Sequence, residues 1–194
     1  MRVTISLILI NIIFFILQQQ IFWFTETFSL TPLMAFSGYY WQFFTYMFLH
    51  ASPQHLFFNM FGLFIFGIVV EKELGWKKYL FIYIVSGLGS AFLYIIFEGL
   101  KSTVLMLGAS GAVFGVLTAY AFKFPKNWVI VFPGIPMPAA LLVVFYIILE
   151  FVLGIFNLEP GIANFSHLGG IITSLIIMFY FRHKEERDIM LSDW

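Results

Sequence analysis

Long apolar runs separated by short polar stretches recur along the whole chain. A membrane hydrocarbon core about 30 Å thick requires roughly 20 apolar residues of helix, and six stretches of this sequence approach that length. The predicted spans are 3–23, 53–70, 79–97, 104–122, 138–156 and 165–181. The pattern therefore predicts an all-α, polytopic membrane protein: one bundle of six transmembrane helices over residues 1–182 and a short charged tail over 183–194.

Composition and charge narrow the possible functions. Hydrophobic residues make up 61% of the chain and charged residues only 10%, whereas a soluble domain carries about 25% charged residues. The ten basic and ten acidic residues cancel, so no excess charge favours nucleic acid as a partner. The chain has no cysteine, which leaves serine, threonine, lysine, tyrosine or a carboxylate for covalent catalysis.

The positions of lysine and arginine predict the orientation. With the N-terminus in the cytoplasm, four basic groups fall at cytoplasmic helix ends and only Lys101 lies outside, as basic residues do in membrane proteins. No targeting extension is visible, so we expect the plasma membrane of a bacterium, with both termini in the cytoplasm. The cytoplasmic groups are Arg2; Lys72, Lys77 and Lys78; Lys123 and Lys126; and Arg182, Lys184 and Arg187.

Four polar residues inside the predicted spans lie at a similar depth. Such groups are costly in hydrocarbon, so each is a candidate for function. Depth is measured here from the charged residue at the cytoplasmic end of each helix, at about 1.5 Å per residue. On this scale Ser110 lies at ~20 Å, His167 at ~22 Å, His55 at ~24 Å and Asn59 at ~18 Å. His55 and Asn59 are four residues apart and therefore share one helical face.

Together these residues predict an acyl-transfer site. A serine hydroxyl supplies a nucleophile, an imidazole supplies a general base, and neutral donors bind an oxyanion. Ser110 lies in Gly108-Ala109-Ser110-Gly111, where the start of a helix would present unpaired backbone N–H groups beside the hydroxyl. A packing explanation also exists, because small residues are typical of surfaces on which membrane helices meet. The common depth of the polar residues favours catalysis.

Four sequence motifs resemble those of the rhomboid family of intramembrane serine proteases and occur in the same order along the chain as in that family. The resemblance covers about residues 41–181 and implies the minimal six-helix form of that fold. The motifs are His55-Leu56-Phe57-Phe58-Asn59; Gly67, Glu71 and Gly75 at four-residue spacing; Gly108-Ala109-Ser110-Gly111; and Ser166-His167-Leu168-Gly169-Gly170.

The resemblance implies a role for each motif. Ser110 would be the nucleophile and His167 its general base, while His55 and Asn59 would help to bind the oxyanion, with Gly108 and Ala109 beside them. Glu71 would be structural. The product of the first step would be an acyl-enzyme formed from a transmembrane protein substrate in the lipid bilayer.

Some positions depart from the family pattern or extend it. Gln42 stands where the family commonly has arginine, and Ser174 where it has a second glycine after the histidine. Phe114 stands where many members have a tyrosine that stacks on the histidine, and it keeps the ring. Asn164 occupies a position that is often polar in the family. We expect His50 and Asn164 to line a water-filled cavity together with His55 and Asn59.

No acidic residue lies near His167 in the sequence. The nearest acids are Glu150 and Glu159, which we expect to snorkel toward the surface or to lie in a loop. The sequence therefore predicts a Ser110–His167 dyad without a third member. No HExxH zinc motif is present, so neither a metal nor an organic cofactor is expected.

Two other functions stay open at this point. A rhomboid-like protein without chemistry could bind membrane clients on the same fold. The presence of both Ser110 and His167 argues against it. A transporter or channel could use the polar layer as a permeation path, but the sequence has no inverted repeat and no pair of membrane carboxylates.

Overall fold

The structure is a computed structural model that describes residues 1–131, 134–156 and 164–192. It is a bundle of helices with one small hairpin, which confirms the predicted helical class. In chain order the elements are α1 (Arg2–Gln20), α2 (Phe24–Phe28), α3 (Pro32–Phe36), α4 (Gln42–Thr45), α5 (Pro53–Gly62), α6 (Ile68–Leu74), α7 (Trp76–Glu98), α8 (Ser110–Lys123), β1 (Trp128–Val131), β2 (Ile135–Pro138), α9 (Ala139–Phe156) and α10 (Asn164–Ser192).

Each predicted span corresponds to a helix. Helices α5 and α6 are joined by a π-helical segment, Leu63–Gly67, and together form one span. Within the described residues, five helices are long and apolar enough to cross a membrane, so the chain is a polytopic membrane protein. They are Arg2–Gln20, Pro53–Leu74, Trp76–Glu98, Ala139–Phe156 and Asn164–Asp188.

The fourth span is shorter than predicted. The sequence predicted a helix over 104–122, but α8 begins only at Ser110 and has 14 residues, a length of about 21 Å. The preceding residues are extended, and Met106 pairs with Leu30 through backbone hydrogen bonds of 2.8 and 2.9 Å. Those bonds satisfy backbone groups that a longer helix would have satisfied internally. Ser110 therefore stands at the very start of a helix.

Two further features differ from the sequence prediction. Helix α10 continues to Ser192, so most of the predicted tail over 183–194 is helical, and residues 193 and 194 lie outside the described residues. Between α8 and α9, strands β1 and β2 pair antiparallel. The all-α prediction missed this hairpin, in which the connection satisfies its backbone groups by pairing with itself.

The core of the bundle is formed by α7, α8 and α10, which pack against one another. Helix α9 packs on α8 and α10 from one side only. Its buried residues are few, and its other face carries exposed large apolar side chains such as Phe145, Ile148 and Phe151. That face is suited to contact with lipid, while the opposite face of α9 looks into the bundle.

The segment between α1 and α5 is held together by Gln42. Its side chain is fully buried. The amide oxygen accepts a hydrogen bond from the Thr31 N–H at 3.1 Å, and the amide nitrogen donates to the Thr27 carbonyl at 3.2 Å. A neutral amide with one acceptor and two donors thus ties three parts of this segment together at the position where the family commonly has arginine.

Glu71 joins α6 to the start of α1. Its carboxylate is 4% exposed and accepts hydrogen bonds from the Val3 N–H at 3.1 Å, the Thr4 N–H at 2.9 Å and the Thr4 hydroxyl at 2.7 Å. These N–H groups belong to the first turn of α1 and have no partner within that helix. Gly75, with φ of 80°, then allows the sharp turn into α7. The contacts of Glu71 are structural, as the resemblance implied.

Glu71→Ala is expected to destabilise the bundle, because it leaves three buried donors without an acceptor. The loss should be about 1–3 kcal/mol, seen as a fall in Tm of about 5 °C in detergent. Glu73→Ala is the matched control, since Glu73 is exposed and its nearest cation is 3.9 Å away. Equal Tm values for the two variants would contradict the anchoring role of Glu71.

Candidate active site

The hydroxyl of Ser110 and the ring of His167 lie in direct contact. The distance from Ser110 Oγ to His167 Nε2 is 2.8 Å, which is that of a hydrogen bond. Ser110 is the first residue of α8, and His167 lies in the first turn of α10. The structure therefore brings together the two residues that the sequence singled out as nucleophile and base.

The contact depends on a close approach of the two helices. A Cβ atom at Gly170 would collide with the carbonyl oxygen of Gly111, so the two backbones touch without side chains between them. Gly111 follows Ser110 directly, and Gly170 lies three residues after His167, about one helical turn away. Any side chain at Gly170 would push the helices apart and would separate the hydroxyl from the ring.

One turn further along, Ser174 contacts α8 through its side chain. Its hydroxyl donates a hydrogen bond to the Gly115 carbonyl at 2.6 Å, and its own side chain is fully buried. Ser174 stands where the family often has a second glycine. The hydroxyl is small enough to fit at this crossing, and its polar atom finds a partner on the neighbouring helix.

Phe114 packs against the face of His167. The ring centroids are 4.8 Å apart with a tilt of 37°, and Tyr146 of α9 packs edge-on against Phe114 at 5.0 Å. The expected ring contact on the histidine is therefore present, although it is tilted rather than stacked. It leaves the imidazole little freedom to rotate away from Ser110.

The second nitrogen of His167 has an acidic neighbour that the sequence prediction missed. His167 Nδ1 lies 3.0 Å from Glu150 Oε2, and the two side chains are only 13% and 8% exposed. The expectation that Glu150 would snorkel or lie in a loop is wrong, because the inward face of α9 carries it into the bundle. Glu159 lies outside the described residues.

The ring of His55 packs against Gly108, close to the Ser110 hydroxyl. Ser52 caps α5 by accepting the His55 N–H at 3.1 Å, which fixes His55 in the first turn of that helix. Gly108 has a φ of 130°, and a Cβ there would lie 2.7 Å from the His55 ring. Glycine is thus required both by the backbone conformation and by the approach of the ring.

The backbone N–H groups near Ser110 differ in their availability. The Gly108 N–H donates to the Tyr46 carbonyl at 3.0 Å, so Gly108 lies beside the site but its amide is not available to an oxyanion. Ala109, which is fully buried, precedes the helix as its N-cap residue. The N–H groups of the first turn of α8, beginning with that of Ser110, have no intrahelical acceptor. They are the available backbone donors.

The remaining residues of the predicted site lie around this centre. Asn59 is buried, and its side-chain amide donates to the His55 carbonyl at 3.0 Å. The His50 ring lies 5.0 Å from that of His55, and burial together with the nearby His55 lowers the pKa of His50 to about 3. Asn164 is buried at the start of α10. Within the described ranges, no three histidine or acidic side chains form a group that could hold a metal ion.

The fold and the site together define a polytopic helical membrane protein in which a serine and a histidine are in contact at the starts of two adjoining helices. The profile of the Rhomboid domain family matches residues 37–184, which is most of the chain. The chain belongs to the rhomboid family.

Individual relatives agree with this assignment. RHOMBOID-like protein 1 of Arabidopsis thaliana is 35% identical over 141 residues, which are 73% of this chain and 34% of that protein. Rhomboid-type serine protease 2 of Emericella nidulans is 33% identical over 131 residues, 68% of this chain and 25% of that protein. Rhomboid protease AarA of Providencia stuartii is 30% identical over 161 residues, 74% of this chain and 57% of that protein. The chain thus spans about half or less of the length of most of these relatives.

Gly170→Ala is expected to disrupt the crossing of α8 and α10, because the new methyl group meets backbone rather than a movable side chain. Overpacking of this kind costs about 1–3 kcal/mol and should lower Tm by several degrees in detergent. Ser174→Ala, at the same interface, is the control, since it loses one hydrogen bond worth about 1 kcal/mol. A Gly170→Ala variant at least as stable as Ser174→Ala would show that the helices do not meet at Gly170.

Proposed function

We propose that the protein is an intramembrane serine protease that hydrolyses peptide bonds in or near the transmembrane segments of membrane-protein substrates. The observation that carries the proposal is the 2.8 Å contact between Ser110 Oγ and His167 Nε2 in a partly buried site. The names of two relatives, a rhomboid-type serine protease and a rhomboid protease, support it. A client-binding protein without chemistry would have no need for this contact.

In the proposed reaction, Ser110 attacks and His167 carries the proton. As the Ser110 Oγ–carbon bond forms, the carbonyl π electrons move to the oxygen and the hydroxyl proton passes to His167 Nε2. The same proton then passes to the leaving amine as the carbon–nitrogen bond breaks, which leaves an acyl-enzyme. Water then attacks the ester carbon and gives a proton to His167. The carbon–Oγ bond breaks as that proton passes to Ser110 Oγ, and the carboxylic acid product leaves.

The negative oxygen formed during attack is stabilised by the start of α8. The N–H groups of the first turn of α8 point out of the helix end, where the helix dipole is positive. The His55 ring lies beside the nucleophile, because the Cβ position of Gly108 is 2.9 Å from His55 Nε2 and 3.7 Å from Ser110 Oγ, and His55 is the side-chain donor that we assign to this oxyanion. Asn59 acts through His55, because its amide bonds to the backbone of that residue. His50 and Asn164 line the surrounding pocket in this proposal.

The depth and crowding of the site indicate the kind of substrate. A carbonyl within a helix is hydrogen-bonded to its own backbone, so a substrate must unwind before Ser110 reaches it. The His55 ring, 2.7 Å from where a Cβ of Gly108 would lie, crowds the nucleophile, so a bulky side chain at the cleaved bond would not fit beside it. We therefore propose transmembrane substrates that unwind easily and that have small residues at the cleaved bond.

The orientation of the chain is part of the proposal. Most lysine and arginine residues fall at alternate loops and at the two chain ends, which lie on one side of the membrane. This bias supports a cytoplasmic location of both termini. On that assignment the Ser110 end of α8 faces the outside. A location in the plasma membrane of a bacterium stays a prediction.

Cleavage of a single-span substrate in detergent and in liposomes is expected to disappear in Ser110→Ala and in His167→Ala. Ser37→Ala and His183→Ala, which alter an exposed serine and an exposed histidine, should retain wild-type activity. The four variants should have similar Tm values. Cleavage that persists in Ser110→Ala would contradict the assigned nucleophile, and an inactive wild type on several easily unwound substrates would favour client binding.

The orientation can be read directly because the chain has no cysteine. Lys101→Cys and Lys126→Cys each introduce one exposed thiol, at opposite ends of the bundle. In intact cells a membrane-impermeant maleimide should label the first variant and not the second, while both should react after permeabilisation. The reverse labelling pattern would contradict a cytoplasmic location of the termini.

A further inference from the structure

We propose that Glu150 is a positioning residue that holds His167 in the tautomer and orientation needed to accept the proton of Ser110. The proposal rests on the proposed protease function and adds a third member to the predicted dyad. It starts from the contact between His167 Nδ1 and Glu150 Oε2, which are 3.0 Å apart.

The position of Glu150 on α9 is unusual for a carboxylate. It is the only charged residue of that helix, whose other residues are apolar apart from Tyr146. It lies on the same face as the buried Val143, one turn beyond Tyr146, at the i and i+7 spacing of a helix face. A carboxylate in a membrane span is costly unless it has a partner. An apolar residue would pack at this place without that cost.

Glu150 Oε2 and His167 Nδ1 have no described hydrogen-bonding neighbour other than each other. Within residues 1–131, 134–156 and 164–192, neither Glu150 Oε2 nor His167 Nδ1 is hydrogen-bonded to any other group, and both atoms are buried. The distance between the two atoms is that of a hydrogen bond, but the angles at the contact are not those of a well-aligned one. Catalytic hydrogen bonds in unliganded enzymes often have this form and improve when substrate binds.

The two ring nitrogens must differ for the reaction to begin. His167 Nε2 faces the hydroxyl at 2.8 Å and must be unprotonated to accept its proton. In the neutral ring the proton is then on Nδ1, where the Glu150 carboxylate accepts the N–H bond and favours that tautomer. When the ring becomes an imidazolium, the adjacent negative charge stabilises it. No proton moves to Glu150 in this scheme.

The same geometry keeps the ring in place. Phe114 covers one face of the imidazole at 4.8 Å, and Glu150 contacts its edge on the side away from Ser110. One contact is on the face of the ring and the other at its edge, so together they oppose both a tilt of the imidazole and a rotation within its plane. Removal of the carboxylate would leave Phe114 in place but would allow the other tautomer.

Two substitutions at Glu150 and one control at the neighbouring position separate a positioning role from a structural one. Glu150→Leu removes the acceptor and keeps the volume, whereas Glu150→Gln keeps an acceptor oxygen without the charge. Phe151→Leu changes a neighbouring side chain on the exposed face of α9 and is the control. For each purified protein, kcat and KM for a transmembrane substrate and the Tm are measured beside wild type and Ser110→Ala.

The expected result is a loss confined to turnover. Glu150→Leu should lower kcat by about 100-fold or more, chiefly because the imidazolium loses its charge partner and in part because some rings adopt the other tautomer. Its KM should stay within about 2-fold and its Tm within about 5 °C of wild type, because the cost of leaving the His167 Nδ1–H without an acceptor is offset by the removal of a buried charge. Glu150→Gln should recover activity to about 10-fold below wild type. Phe151→Leu should match wild type.

Other outcomes would overturn the proposal. A kcat of Glu150→Leu within about 3-fold of wild type, or an effect seen only in KM, means that Glu150 does not position the base. If Glu150→Leu and Glu150→Gln lose Tm and kcat to the same extent, the role of Glu150 is structural. Ser110→Ala tests the protease function separately from the role of Glu150. Cleavage that survives in Ser110→Ala refutes the protease function. Cleavage that requires Ser110 but is unaffected by Glu150→Leu refutes only the positioning role.

Discussion

The whole site depends on one backbone contact, that between Gly111 of α8 and Gly170 of α10. A Cβ atom at Gly170 has no space, because the carbonyl of Gly111 occupies it. Apolar side chains give little net driving force between helices in lipid, so close approach of backbones is the main source of attraction there. Ser110 directly precedes Gly111 on α8, and His167 lies about one turn before Gly170 on α10. The packing that stabilises the bundle therefore also sets the distance between nucleophile and base.

A second constraint is that a buried polar group without a partner costs stability. Glu71 satisfies the first N–H groups of α1, Gln42 links parts of the outer segment, and Ser174 bonds to the Gly115 carbonyl. The bonds of Glu71 and Ser174 join residues 67 and 59 positions apart in sequence, whereas that of Gln42 spans 11 positions. Glu150 differs, because its contact is with a residue of the proposed reaction rather than with backbone. That difference is the reason to assign it to chemistry and the others to the fold.

The helices and the central pair were predictable from sequence because their signals are local. Apolar runs give the spans, and a simple depth measurement places Ser110 and His167 in one layer. The start of α8 was predicted too early because 104–109 are apolar enough for a span, and only the pairing of Leu30 with Met106 shows that they are extended. The hairpin of β1 and β2 was missed for the same reason, since strand pairing depends on partners and not on composition.

The contact of Glu150 with His167 was also missed, although a signal existed. Glu150 lies 11 residues after the start of α9, a depth of about 17 Å, which puts it in the layer of the other polar residues. The sequence could not say which face of a uniformly apolar helix points inward. The sequence also could not explain Gln42 and Ser174. Their departures from the family pattern are explained only by the hydrogen-bond partners that the structure shows.

The central claim is that His167 activates Ser110, and chemical trapping of the nucleophile tests it most directly. A fluorophosphonate forms a phosphorus–oxygen bond with an activated serine and releases fluoride, and peptide mass spectrometry locates the adduct. One phosphonyl group, on Ser110, is expected in the wild-type protein, and no adduct is expected in folded His167→Ala. An adduct on another residue, or equally fast modification of Ser110 in His167→Ala, would contradict it.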